Sequence, residues 1–301
     1  MLEQSYSLRV LARTGSRFRE FAPYEASLND RGDVAFQAKI EGAGEGVFLW
    51  SKGEIRSIAT TEGTEFESFC SHPDINNKGE LSFYAQSTDG LGLYRAHGDT
   101  VECVAGGSRG FASIGPLGPT MNEAGAIAFR GRREAGAGVY LWTGESNTTI
   151  AEVGDRVSGF EGLPVVIGDG ALVFRATTPE GAVIYRAQGD ALLPIAQSPE
   201  FTELGRFPSA SQDGAIAFAG TRAGRPGIYL HRGSSTSCLI DSPDFESYRG
   251  VLINRSKNYV FCATPAGGSL GVYVGDERIL GIGDELGDSS VLEFGLNAVS
   301  I

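Results

Sequence analysis

The 301 residues contain no stretch approaching the roughly 18 apolar residues of a membrane helix, and MLEQSYSLRVLARTG at the N-terminus has no basic segment leading into an apolar core. Neither anchoring nor export is encoded there, and a cytoplasmic location is expected. Cysteine is scarce: Cys70, Cys103, Cys238 and Cys262 show no C-x-x-C spacing, which excludes a zinc ribbon and suits free thiols in a reducing compartment better than a disulfide frame. With only three histidines and no calcium-loop spacing of carboxylates, no metal and no cofactor is expected. Positive charge is also in deficit. Lys and Arg number 25 against 37 Asp and Glu, a net charge of -12 and a pI near 4.8, which argues against nucleic acid or an anionic membrane as partner. Long runs with helical periodicity are missing too.

What is abundant is glycine, 43 residues, about twice its usual share of roughly 7%. Much of it belongs to a repeat. NDRGDVAF (29–36) returns as NNKGELSF (76–83) and NEAGAIAF (122–129), then more weakly as IGDGALVF (167–174), SQDGAIAF (211–218) and NRSKNYVF (254–261). The final phenylalanines, Phe36, Phe83, Phe129, Phe174, Phe218 and Phe261, are 47, 46, 45, 44 and 43 residues apart. A repeat of that length in a strand-rich chain points to a radial or stacked architecture.

Each copy carries three further apolar runs. One centres on an aromatic: Phe48, Tyr94, Tyr140, Tyr185, Tyr229 or Tyr273. Another follows it, as in EIRSIA (54–59) and TVECVA (100–105), and a short one precedes each turn, with Pro73, Pro119, Pro164 and Pro208 in four copies. Asparagine opening N-x-x-G bonds the backbone two residues on, and the glycine supplies positive φ to close the hairpin. Lys257 replaces that glycine in the sixth copy, where an altered turn is expected. Proline is tolerated in a sheet mainly at an edge, so the proline-bearing run is an edge strand. Four-stranded units with a free inner edge fit blades around an axis. The expectation is an all-β, six-bladed β-propeller with four-stranded blades, one domain over 1–301. A solenoid would need shorter repeats, and two sandwiches would not explain six equal units.

The N-x-x-G-x-[IV]-[AS]-F signature followed by G-V-[FY]-L-W resembles that of the bacterial NxxGxxAF tandem-repeat proteins, over nearly all of the chain. The resemblance implies a propeller-like protein of a largely uncharacterised group, often exported or surface-anchored, and it transfers no functional residue. Both termini resemble the same part of a blade: SLRVLARTGSRFREF (7–21) and the segment from 277 to 301 each match EIRSIATTEGTEFESF (54–69). N/C-terminal strand closure is expected, with the N-terminal strand joining the last blade; a domain-swapped dimer is the alternative, so the chain is a monomer or homodimer.

The short N-x-x-G turns share one face, and the longer connections into each inner strand share the other. A site belongs over the axis on the longer-loop face. His72 is the most suggestive residue there, two positions from Cys70 on the same side of an inner strand; the pair reads either as nucleophile and base or as packed thiol and hydrogen-bonded imidazole. His97 and His231 read as surface residues. Glu67 and Glu203 are candidate acids or bases beside His72. Arg109, Arg206 and Arg249 are candidate anion ligands. Tyr24, Phe207 and Tyr248 break the repeat and so are candidate pocket aromatics, whereas the once-per-blade aromatics are core, and Trp50 and Trp142 are structural. The expected function is binding of a small polar or peptide ligand at the central face. The alternatives are a metal-independent acid–base enzyme, such as a cyclase, isomerase or lyase, and a protein scaffold.

Overall fold

The computed structural model describes residues 6–42, 44–256 and 258–297. Six antiparallel sheets follow one another in chain order, arranged as a β-propeller. In the first blade an inner strand in two pieces, Phe18–Phe21 and Ser27–Leu28, pairs with Val34–Ile40, which pairs in turn with Glu45–Ser51 and that with Glu54–Thr60 at the rim. Among the described residues the one helical segment is the 3-10 turn Gly107–Arg109, and no helix is long and apolar enough to cross a membrane.

Inner strands reach further towards the longer-loop face than the sequence suggested. Phe66–Phe69, Phe201–Leu204 and the first half of Phe245–Ile253 are paired strand where loops were expected. The cause is a third aromatic. Phe18, Phe66, Phe111, Phe201 and Phe245 lie edge-on against Phe48, Tyr94, Tyr140, Tyr229 and Tyr273, with ring centroids 4.8–4.9 Å apart. Each of those rings also stacks on the phenylalanine that ends its repeat signature, at 5.5–6.0 Å. A fully packed edge-on ring is worth about 1 kcal/mol beyond its buried area, enough to hold the strand that carries it. The once-per-blade aromatics are therefore core, as expected.

This aromatic face of each blade packs on the aliphatic face of the one before. Phe66, Phe83 and Tyr94, for example, cover Ala35, Val47, Leu49 and Ala59. Five clusters join successive blades in this way. The aromatic face of blade 1, formed by Phe18, Phe36 and Phe48, is met instead by Ala12 of the N-terminal segment. Arg9 of that segment lies over Trp50 at 4.8 Å. Residues 6–13 form no strand, and blade 6 consists of Phe245–Ile253, Tyr259–Pro265, Gly271–Val274 and Glu277–Gly281 alone. Its rim position is already filled, so the N-terminal segment is left to shield blade 1. At the axis the C-terminal segment completes the seam, where Asn297 Nδ2 donates to Ser27 Oγ at 2.8 Å. Both ends thus meet at the seam as segments and not, among the described residues, as a strand added to blade 6. Lys257 lies outside the described residues.

The turn asparagines do more than close hairpins. Asn122 Oδ1 accepts from the N–H groups of Ala124 and Ala126, each at 3.0 Å, and its Nδ2 donates to the Ile167 carbonyl of the next blade at 3.0 Å. Asn29 and Asn76 repeat the pattern, reaching the carbonyls of Asn76 and Asn122. One side chain therefore satisfies a turn and staples two blades. Two residues earlier on the inner strands runs a second belt: Ser27 donates to the Pro73 carbonyl, Asp74 accepts from Met121 N–H, and Thr120 donates to the Pro164 carbonyl.

Candidate functional site

Four residues before each turn-opening position, the inner strands present Glu25, His72, Gly118, Leu163, Phe207 and Gly250, one from each blade. These positions surround the axis on the longer-loop face. Glu25, His72, Leu163, Phe207 and Gly250 line a cavity of about 290 Å³, together with Tyr24, Leu117, Leu252 and, from the C-terminal segment, Leu296 and Asn297. Gly250 leaves open room there, while the space beside Gly118 is taken by the His72 ring. The cavity wall is largely apolar, with a few polar groups converging on it, the usual make-up of a small-molecule pocket.

Like Asn297, His72 is a buried polar residue of that wall, 4% exposed. Its imidazole lies across Gly118, where a Cβ would stand 2.5 Å from the ring. The Pro119 carbonyl accepts a hydrogen bond from the ring, while Nε2 is buried with no partner among the described residues. Burial pushes the imidazole down to about 4 from 6.5, partly opposed by that carbonyl, so it is neutral at physiological pH. His72 then takes up its proton more readily in the unfolded chain. Its contribution to stability is present above pH 6.5 and is lost as pH falls through about 4. A ¹⁵N titration of the folded protein should place the His72 midpoint near 4, and a midpoint at the ordinary 6.5 would contradict this environment.

Asp74, two residues along the same strand, faces the axis in the belt below. Burial raises its carboxyl to about 7, against the pull of N–H bonds from Met121 and Ile75 and the Ser27 hydroxyl. Its sign is opposite to that of His72: the contribution is present below pH 3.8 and lost as pH rises through about 7. Beyond the belt, at the N-x-x-G end of the axis, Asp30, Asp74, Asn77, Glu123, Asn254 and Arg255 line a small polar vestibule of about 70 Å³. The belt lies between the two spaces.

The nine residues singled out in the sequence do not converge. His72, Tyr24 and Phe207 line the central cavity. Glu203, Arg206 and Tyr248 line an open groove outside it, between blades 4, 5 and 6, and Arg206 pairs with Glu161 at 3.2 Å. Glu67 lines a shallow depression with Arg19 and Lys39 at the boundary of blades 1 and 2. Arg109 closes the 3-10 turn, and Arg249 is exposed on Phe245–Ile253. None of the three arginines lines the central cavity: Arg206 turns into the groove between blades, Arg109 stays on its turn and Arg249 faces out from its strand. Burial, with the Glu45 charge adding to it, pushes the Cys70 thiol up, away from the thiolate that a nucleophile needs. His97 is exposed and bonds Glu80 at 2.9 Å, but His231 is buried beside Thr236 and is not the surface residue expected.

Sequence reasoning overlooked Glu25, Leu117, Leu163, Leu252, Leu296 and Asn297. For Glu25 and Leu163 a signal was available, since both stand at the repeat position of His72. No signal marked the C-terminal pair, whose place depends on where the ring closes.

No protein-family model and no curated protein matches the chain. Solved structures do. The β-propeller domain of the Trilobed protease from Pyrococcus furiosus, described as having an open velcro topology, superposes with a TM-score of 0.55 at 12% identity, covering 85% of this chain and 82% of that one. Virginiamycin B lyase from Staphylococcus aureus gives 0.53 at 14% identity, covering 85% of each. TolB from Acinetobacter baumannii gives 0.49 at 14% identity; 78% of this chain is covered, but only 58% of that one. At such identities the first two show the propeller fold and nothing further.

Proposed function

We propose that this propeller is a ligand-binding protein whose site is the central cavity on the longer-loop face, with His72 as its polar anchor. The supporting observation is a buried imidazole, that of His72, in the wall of an otherwise largely apolar space. A ligand polar group that pairs with the imidazole gains about 0.5–1.5 kcal/mol. An apolar body adds about 25 cal/mol for each Å² it removes from water. A cavity of about 290 Å³ accommodates a single aromatic ring with a short polar arm, since one of roughly 150 Å³ already holds benzene. That size favours a small molecule over a peptide.

Benzyl alcohol, an aromatic ring carrying one O–H donor, is a suitable neutral probe. On its addition the His72 ring ¹⁵N resonances should move as the imidazole gains a hydrogen bond. Leu163→Trp, which places a large side chain in the cavity, should abolish that response without unfolding the protein. His72 ring ¹⁵N signals unmoved by saturating probe, or an unchanged response in Leu163→Trp, count against the site.

A further inference from the structure

The two segments that meet at the seam carry opposite charge. Residues 7–19 hold four arginines, among them Arg9 and Arg13, and no acid, in a chain whose net charge is -12. Residues 276–293 hold six acids against one base, Arg278, which Asp284 engages at 2.8 Å. Both stretches also expose apolar side chains: Leu8 and Val10 are each 65% exposed, Leu286 41% and Leu292 83%. Among the described residues Arg13, Glu285, Asp288 and Glu293 have no ion pair or side-chain hydrogen bond, and Arg9 has none beyond its place over the Trp50 ring. The backbones are unmatched as well. Residues 6–13 form no strand, although their sequence resembles the rim strands. Glu285–Leu286 pairs with Ser289–Ser290 in a two-stranded sheet separate from every blade, an arrangement only marginally stable by itself.

We infer that the seam is a self-association surface, on which residues 8–13 of one copy lie along the 285–290 hairpin of a second. Leu8 and Val10 then cover Leu286 and Leu292, while Arg9 and Arg13 stand beside Glu285 and Asp288. An extended segment laid on the open edge of a hairpin also pairs backbone groups that water alone now serves, the mode of strand addition. Neither segment is free to do this within its own molecule. Ala12 and Arg9 hold the first on blade 1, and backbone bonds of Gly283 and Val291 close the second on itself. A second copy is the occupant because it brings both halves of the match, whereas an unrelated protein complementary to the basic segment would leave the acidic hairpin uncovered. Since both patches belong to one seam, a two-fold axis satisfies them together and closes the assembly at a dimer. Elsewhere two molecules of charge -12 repel one another, and the arginine-bearing segment is where that repulsion reverses.

Sedimentation velocity over about 1 to 200 µM should show a monomer–dimer equilibrium with a dissociation constant on the order of 10 µM, as suits a small interface, and weaker at high salt. Arg9→Glu with Arg13→Glu should weaken association at least about tenfold, and so should Glu285→Lys with Asp288→Lys, since each pair sets like charges face to face. All four side chains are exposed, so the fold should persist, which near-ultraviolet circular dichroism of the buried aromatics checks. Leu8→Ser with Val10→Ser alters no charge and should also weaken the dimer about tenfold. Mixing the two charge variants is the decisive arm. The glutamate segment then meets the lysine hairpin while the native segment meets the native hairpin, so a dimer of one of each should form with nearly the parent affinity. A parent protein monomeric throughout that range, assemblies that grow beyond two, a charge or serine variant that dimerises as the parent does, or charge variants that stay apart when mixed overturns the proposed surface.

Discussion

Replacing Asn122 by alanine is expected to destabilise the protein by about 3 kcal/mol, far more than an exposed turn residue would. Asn122 is 1% exposed and makes three hydrogen bonds, two within its turn and one to the next blade. Alanine strands the buried Ala126 N–H and removes the donor to Ile167, whose carbonyl keeps a bond from Gly170 N–H. Asn122→Asp separates the two roles. A carboxylate still accepts from the turn, but it sets a second acceptor against the Ile167 carbonyl. It should cost at least as much as alanine at neutral pH and recover part of the loss on acidification, when a protonated oxygen can donate. Urea denaturation at two pH values measures this. If Asn122→Asp matches the parent protein at neutral pH, the inter-blade bond has no energetic weight.

Gly162→Ala should be comparably severe and should also remove probe binding. Gly162 has φ of +67°, and a Cβ there would stand 1.7 Å from the backbone carbonyl oxygen of Arg206 in the next blade. Positive φ alone costs a non-glycine residue about 1–2 kcal/mol. The collision must move one inner strand against another, adding about 1–3 kcal/mol. Leu163 and Phe207, which follow the two colliding residues, are walls of the cavity. The control is Gly189→Ala, with φ of +56° and nothing within 4 Å of the added atom. That variant should show the backbone strain alone, with benzyl alcohol binding intact. Equal loss of stability in the two variants would mean that the close approach between blades 4 and 5 does not hold in solution.

The contrast between these two glycines separates what was legible in the sequence from what was not. Blade number, the four strands of each blade, the turn glycines and the once-per-blade aromatics follow from local chemistry repeated at a regular spacing, and each recurs in nearly every copy. The inward position of the proline-bearing strand follows too, because proline removes a donor that only an edge can spare. The repeat also carried the candidate site part of the way, marking His72 through its inner-strand position and Tyr24 and Phe207 through their departure from the pattern.

Contacts between blades were decided by the tertiary structure alone. Asn122 reads locally as a turn residue, and only the ring brings the Ile167 carbonyl to its Nδ2. Of the arginines expected to gather over the axis, Arg206 lies in an inter-blade groove, Arg109 on a 3-10 turn and Arg249 on an exposed strand position, because the direction of a side chain depends on the neighbouring sheet. Glu25 came to stand next to His72 through the side-by-side placement of two inner strands 47 residues apart in the chain. Ring closure sets that neighbourhood, since it brings Leu296 and Asn297 from the far end of the chain to the same wall. Periodicity specifies what each wedge contains; which atoms of two wedges face one another is settled when the wedges pack.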